Sequence, residues 1–503
     1  MVKGLFMHTI ITARDISFEL SNGNILFKHL NFSLEPRLSA LIGPNGIGKT
    51  SLAQLLSGKL EPTRGTVNRS FPVSFFPQRE AMPAMSVEEF LVSLQYTWNV
   101  WAERFLQGIN RSELCTQLSG GEWMRVRLAV TITDQFLILD EPTNDLDRTG
   151  RDIFIEFLKE CHHGALLISH DRECLQLCEN IFELSQQGLS KFGGGWDFYQ
   201  EMTKHERHHL MDDLDKAKRH RDKTLSDRIA KKAKQEKRNR QGAAAAARGG
   251  MPKILLGGRK RQAQVTSGQI DVETYEKAIH AVQEAHEALE KIKIDPVMYA
   301  DLLSYVIPTQ KLVAEAYNFN IRFEDWLYPE DLNFQWRGPV RVALKGVNGS
   351  GKSTLLKAIR GQNFQTRGIL RSGTLNTLYL DQHCAILNES RTVFENIRDV
   401  SRLDESEIRN GLAKFLFLKD RVFQSVHSLS GGERLRAALA KSFLGTQRPE
   451  LLILDEPTNN LDLVNIEFLE NLVRQFRGAL VIISHDEVFL KNCEVIEELI
   501  LSN

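Results

Sequence analysis

The chain has 503 residues, equal totals of 64 Lys+Arg and 64 Asp+Glu, and 42% hydrophobic residues. That length calls for two to four domains, and that composition is ordinary for packed cores in water. No apolar run reaches the roughly 18 residues of a membrane span, and the 6 cysteines include no C-x-x-C pair, so a cytosolic chain with reduced thiols is expected rather than a disulfide framework.

The opening stretch "MVKGLFMHTIITARD" alternates like a strand and lacks a small-residue cleavage site, so no signal peptide is expected. The first strong element is "SALIG", a short β run feeding "GPNGIGKTS" at Gly43–Ser51. This matches G-x-x-x-x-G-K-[ST], whose glycines turn backbone N–H groups toward phosphates. Gly43, Asn45, Gly46 and Gly48 shape the loop. Lys49 is expected to meet the β- and γ-phosphates, and Thr50, followed by Ser51, to ligate Mg²⁺. "FFPQ" ends on Gln78, and "LSGGE" at Leu118–Glu122 opens a helical stretch, "EWMRVRLAVTI". "FLILDEP" and "ALLISHD" are continuous apolar runs, as fully buried parallel strands require. Asp140 closes the first of them, where a carboxylate would hold the Mg²⁺ shell, and Glu141 beside it is placed to polarise water.

From residue 200 to 307 strand signals vanish and charge takes over. Between Lys204 and Arg261 there are 19 lysines and arginines against 7 acids, a net of +12, so the rest of the chain carries −12. Such concentration points to a polyanion partner. Residues 198–240 lack Pro and Gly and read as helix. Val272, Tyr275, Ile279, Val282, His286 and Leu289 follow at coiled-coil spacing, with Leu210, Leu214, Ala217 and Leu225 as a matching stripe. An antiparallel helical hairpin is expected, with its tip at 248–268. Lys253, Arg259, Lys260 and Arg261 there would meet RNA phosphates. "HERHH" at His205–His209 fits a zinc-protease spacing, but no third ligand is evident.

The second half then repeats the first. "RVALKG" runs into "GVNGSGKST", which supplies Gly346, Asn348, Gly349, Gly351, Lys352, Ser353 and Thr354 at an offset of 303. Gln382 stands in "YLDQ". "LSGGE" recurs with Ser430, Gly431 and Gly432, offset 311, and "LILDEPTN" and "SHD" recur at 315, bringing Asp455, Glu456 and His485. A whole domain has been duplicated.

A P-loop, LSGGE, LDEPTN and SHD, twice in one order, resemble the ATP-binding cassette (ABC) ATPases over roughly residues 1–200 and 306–503. Tandem cassettes with a helical linker and no membrane segment are similar to the ABC-F class, and "FGGGWDFYQ" at Phe192–Gln200 resembles that class's exit into the linker. The implied fold is α/β: two tandem P-loop ABC ATPase domains, 1–199 and 308–503, joined by an α-helical hairpin at 200–307. The resemblance implies ATP hydrolysis with Mg²⁺ in a head-to-tail sandwich. One site would join Lys49, Thr50, Gln78, Asp140, Glu141 and switch His170 to Ser430, Gly431 and Gly432. The other would join Lys352, Ser353, Gln382, Asp455, Glu456 and switch His485 to Ser119, Gly120 and Gly121. Thr50, Gln78, Asp140, Ser353, Gln382 and Asp455 would hold Mg²⁺ directly or through water, with Asp147 and Asp462 as D-loop residues. The implied partner is the ribosome, through rRNA and P-site tRNA near the E site. The chain would act as a cytoplasmic monomer whose cassettes close on each other. A soluble subunit of a membrane transporter and a DNA-associated ATPase are the alternatives. Housekeeping translation and antibiotic resistance stay open, as do the adenine-stacking aromatics: Phe18 or Phe27, and Phe323 or Trp336.

Overall fold

In the computed structural model the described residues are 10–21, 23–94, 98–144, 146, 148–247, 277, 279–280, 284, 306–347, 349–381, 384–459 and 461–501. They form two compact units, Met1–Tyr199 with Pro296–Asn503, and Gln200–Asp295.

The apolar runs become parallel strands buried on both faces. In the first half Leu38–Ile42 lies between Ala165–Ile168 and Asn180–Ser185, and Phe136–Asp140 and Val73–Phe76 continue the sheet outward. Gly188–Gly193 adds an antiparallel edge. In the second half Arg341–Lys345 lies between Ala479–Ile483 and Glu497–Ile500, followed outward by Leu451–Asp455 and Thr377–Leu380. The period-2 alternation of each strand feeds two cores. Leu137 and Leu139 join the core that holds Trp123, Val126 and Leu128 of the LSGGE helix. Phe136 and Ile138 join the one that holds Leu52, Leu55 and Leu56 of the P-loop helix. Leu452 and Leu454, against Leu451 and Ile453, divide in the same way. Each half also carries a three-stranded antiparallel sheet, centred on Ile11–Glu19 and on Leu312–Arg322.

The linker's first arm is one helix of 53 residues, Gly195–Ala247, about 80 Å at 1.5 Å per residue. It is longer than the expected 198–240 because the alanine run, the best of helix formers, extends it. Leu210, Leu214, Ala217, Arg221, Leu225 and Arg228 are the stripe withdrawn from solvent, with coiled-coil spacing. Of the second arm Lys277, Ile279, His280 and Glu284 are described, all helical. Glu284 lies 3.3 Å from His220 of the first arm. Ile279, expected in the seam, is 41% exposed. The other seam positions and the tip, with Lys253, Arg259, Lys260 and Arg261, lie outside the described residues.

Within the first unit the two halves meet through a buried ion pair. Arg172, on the helix Arg172–Gln176 that follows His170, donates to Glu470 on the helix Leu463–Gln475 at 2.5 and 3.3 Å. Asn492 donates to the same carboxylate at 3.0 Å, and Leu463 packs into the core of the first half. Positions 315 residues away hold Glu487 and Ile155, so the duplication supplies this pair once. Removing one partner leaves a desolvated charge, which typically costs about 3–5 kcal/mol, whereas replacing both by apolar residues is often neutral. Arg172→Ala is therefore expected to lower the thermal midpoint by several degrees, and R172M with E470M to restore most of it. A double variant no more stable than the single one would refute this account.

Candidate nucleotide sites

Each P-loop leaves its strand at a glycine that no other residue could replace. Gly43 has φ +150°, and a Cβ there would stand 2.3 Å from the carbonyl oxygen of Leu184. Gly346, at φ +153°, would meet that of Leu501 at 2.5 Å. The helices Lys49–Ser57 and Lys352–Ile359 begin directly after each loop, presenting free N–H groups and the positive end of the helix dipole. Lys49 donates to the carbonyls of Gly43 (2.7 Å) and Pro44 (3.2 Å). Lys352 donates to those of Gly346 (2.8 Å) and Val347 (3.0 Å). Burial pulls both ammonium groups below the usual lysine range, and the neighbouring carboxylates oppose this. Thr50, Ser51, Ser353 and Thr354 lie in the first turns of these helices, with Asn45, Gly46, Gly48, Gly349 and Gly351 in the loops. Asn348 and Gln382 lie outside the described residues. Gln78 follows the strand Val73–Phe76 and is half-buried.

The glutamate that follows each of the strands Phe136–Asp140 and Leu451–Asp455 sits on strained backbone. Glu141 has φ +49° and Glu456 φ +47°, left-handed values that a non-glycine residue keeps only when its surroundings impose them. Here the imposing contacts are donations from Glu141 N–H to Ile168 (2.8 Å) and from Glu456 N–H to Ile483 (2.9 Å). These fix each carboxylate beside its histidine: Glu141 Oε1 to His170 Nε2 is 3.3 Å, and Glu456 Oε1 to His485 Nε2 is 3.4 Å. Burial raises both carboxyls, Glu456 to about 7, while Lys49 and Lys352 pull them back. Burial also drives His170 well below its usual value, so its imidazole is neutral.

The residues fit a divalent cation in the first half. Asp140 is buried and its Oδ2 has no hydrogen-bond partner; burial raises its carboxyl, and Thr50 and Lys49 beside it pull it back. In the second half Asp455 Oδ2 accepts from Tyr379 Oη at 2.9 Å. The matching position is Phe75, so the two halves differ here.

The two LSGGE loops are helix caps. Ser119 precedes the helix Gly120–Thr131, and Glu122 accepts from its N–H (2.9 Å) and hydroxyl (2.7 Å). Ser430 and Glu433 repeat this at 3.0 and 2.9 Å before the helix Gly431–Phe443. Ser-x-x-Glu is the capping box, legible in the sequence but read there only through the family pattern. Sequence reasoning also missed Arg127. It reaches from the LSGGE helix to Glu80 (3.0 Å) and to the carbonyl of Pro77, over the ring of Phe76. This ties the helix to the segment that carries Gln78.

A cavity of about 300 Å³ between the halves is lined by Ser119, Glu141, Arg151, His170, Glu456 and His485, among others. Ser119, Gly120 and Gly121 thus share this cavity with Glu141 and His170 of their own half and with Glu456 and His485 of the other. Across the halves Asp462 Oδ2 accepts from the N–H of Asn45 at 3.0 Å, so this D-loop residue touches the first P-loop. Asp147 lies outside the described residues. Gly432, after Ser430 and Gly431, packs against the helix that Asp462 caps; a Cβ on it would stand 2.1 Å from Asn465 Nδ2. Of the aromatic candidates Trp336 and Phe27 are core residues and Phe18 stacks on Phe27 at 6.2 Å, leaving Phe323, 59% exposed, as an open face. His205, Glu206 and His209 are exposed on the linker helix, and among the described residues no cluster could hold a metal through three or more His, Cys, Asp or Glu. Cys174 and Cys178 are buried, and burial pushes the Cys178 thiol up to about 12.

Residues 27–144 and 329–459 each match the family described as ABC transporter. Ribosome protection protein VmlR of Bacillus subtilis (strain 168) is 28% identical over 507 residues, covering 99% of this chain and 87% of VmlR. Erythromycin resistance ATP-binding protein MsrA of Staphylococcus epidermidis is 28% identical over 478 residues, covering 90% of each. The solved structure of an RNase-L Inhibitor shares the fold, with a TM-score of 0.60 at 18% identity over 95% of this chain and 86% of that one. Two matched cassettes, each with its P-loop, capped LSGGE helix and Glu–His pair, make this chain an ATP-hydrolysing member of the ABC ATPases, in the ABC-F class.

Proposed function

We propose that this chain uses ATP binding and hydrolysis to act on the ribosome as a cytoplasmic monomer, either in translation or in protection against ribosome-directed antibiotics. Its cassettes, 1–199 and 308–503, would close on each other while the linker, 200–307, reaches tRNA and rRNA. The observation that carries this reading is the 53-residue helix that leaves the first cassette. Beyond Arg228 it withdraws none of its described side chains from solvent and exposes Lys231, Lys232, Lys234, Lys237 and Arg240. A solvated basic rod joining two ATPase domains suits a folded polyanion better than a lipid-embedded partner. No helix among the described residues is long and apolar enough to cross a membrane. The names of the relatives VmlR and MsrA, a ribosome protection protein and an erythromycin resistance protein, support the same target.

In this reading each P-loop cradles the phosphates of one ATP, and the opposite LSGGE loop closes over it. Asp140 with Thr50, and Asp455 with Ser353, would hold Mg²⁺, directly or through water shared with Gln78 and Gln382. The ion supplies charge neutralisation between β- and γ-phosphate. Glu141 and Glu456 orient and polarise the attacking water, and the switch histidines hold that arrangement. Because the sandwich closes on nucleotide, ATP shifts the population toward the closed state and hydrolysis releases it. Co-sedimentation with purified ribosomes tests the reading. Binding is expected with ATP and a non-hydrolysing chain, and should weaken at least tenfold without nucleotide. A chain that sediments with ribosomes in no nucleotide state, but is recovered with a membrane partner, would point to a transporter subunit instead.

A further inference from the structure

Arg151 touches the switch segments of both halves, but only one half supplies such a residue. It lies on the helix Arg148–Glu160 of the first cassette, with its side chain 11% exposed and lining the cavity between the halves. One guanidinium nitrogen donates to the backbone carbonyl of His485 in the second cassette at 2.6 Å. The other donates to Asp171, next to His170, at 2.9 Å, and Glu173 lies 3.2 Å away. Arg151 therefore clamps the switch segment of the second cassette onto that of the first. The clamped segment carries the imidazole 3.4 Å from Glu456.

The duplication does not repeat this clamp. The position 315 residues on is Ile466, which lines the same cavity and has no polar side-chain atom. The backbone of His485 is thus held directly by a charged donor, whereas the His170 segment is held through the Asp171 side chain, and Ile466 at the equivalent place offers the His170 carbonyl no donor. The geometry points to Arg151 as a positioning residue, supplied in trans by the first cassette, for hydrolysis at the site of Lys352, Glu456 and His485, which turns over faster than the site of Lys49, Glu141 and His170. The inference rests on the site assignment proposed above. Its physical basis is preorganisation: a switch whose backbone is already held does not have to be ordered as the water attacks. Against the burial that raises the Glu456 carboxyl, the charges of Lys352 and, more weakly, Arg151 favour its ionised form.

A single-turnover experiment on the full chain tests this. The protein is loaded with two equivalents of ATP without Mg²⁺, and hydrolysis is started by adding Mg²⁺. Wild type is expected to release phosphate in two phases of one equivalent each. R151I should slow the faster phase about tenfold and the slower phase less than twofold. R151K, which keeps one charged donor, should recover a good part of the faster phase. R151Q, of similar length and still a donor, serves the same purpose if R151I does not fold, with intermediate slowing. A single wild-type phase of two equivalents, equal slowing of both phases, or an R151K no better than R151I would each overturn the assignment. A wild-type chain that releases no phosphate would overturn the site reading as well.

Discussion

Replacing Glu141 and Glu456 together with glutamine is expected to lower ATP turnover at least ~100-fold while nucleotide stays bound. Loss of a positioned general base is typically worth 10²–10⁴ in rate. The substitution keeps size and hydrogen bonding, so the backbone at φ +49° and +47° and its donations to Ile168 and Ile483 should survive. Phosphate release and filter-retained ATP measure the two effects, and a double variant hydrolysing within threefold of wild type would remove both residues from the chemistry. The same variant makes a second, thermodynamic prediction. Burial raises both carboxyls, Glu456 to about 7, so each takes up a proton on folding. The associated stability is fully present below the unfolded carboxyl value, 4.5, and is lost as pH rises through the folded one. The nucleotide-free wild type should therefore lose thermal stability between pH 5 and pH 8, and the double glutamine variant should lose clearly less.

Much of this molecule is legible in its sequence because its elements are set by local rules. "LILDEP" had to be a doubly buried strand, and Leu137 and Leu139 against Phe136 and Ile138 do divide between two cores. The P-loop glycines had to sit where a side chain has no room, and Gly43 and Gly346 do. The features missed depend on pairs far apart in the chain. Arg172 and Glu470 are 298 residues apart, and Arg151 and the His485 carbonyl 334; neither has a sequence signal beyond the broken repeat, which has Ile466 at the position equivalent to Arg151 and Ile155 at that equivalent to Glu470. Asp455 bonded to Tyr379 is another such case, since Phe75 and Tyr379 read alike as aromatic strand residues. Trp336 and Phe323 are the aromatics left open for adenine stacking in the second half. Trp336 instead stacks on Phe334 at 4.1 Å in the core, and burial, which residue type does not report, makes the difference.

The linker carries the second large effect. Changing Lys253, Arg259, Lys260 and Arg261 to alanine should weaken ribosome binding and flatten its dependence on salt. Each lysine or arginine that neutralises a phosphate releases condensed counterions, so four contacts contribute a slope of roughly 3 in log affinity against log salt. Over a fourfold rise in salt the wild type would then lose about 60-fold more affinity than the variant. The charge that drives this is not spread over the chain, which is neutral as a whole; it is concentrated as +12 between Lys204 and Arg261. The first arm shows how that charge is displayed. Its shielded stripe ends at Arg228, and the described residues beyond, Lys231, Lys232, Lys234, Lys237 and Arg240 among them, face outward. Steady-state ATPase activity of the free chain should change less than twofold, because every residue of both proposed nucleotide sites lies in the cassettes. Ribosome affinity at several salt concentrations, for wild type and the fourfold variant, is the measurement. Equal affinities and equal slopes would mean that these four residues contact no phosphate, and RNA contact would then fall to the exposed lysines of the first arm.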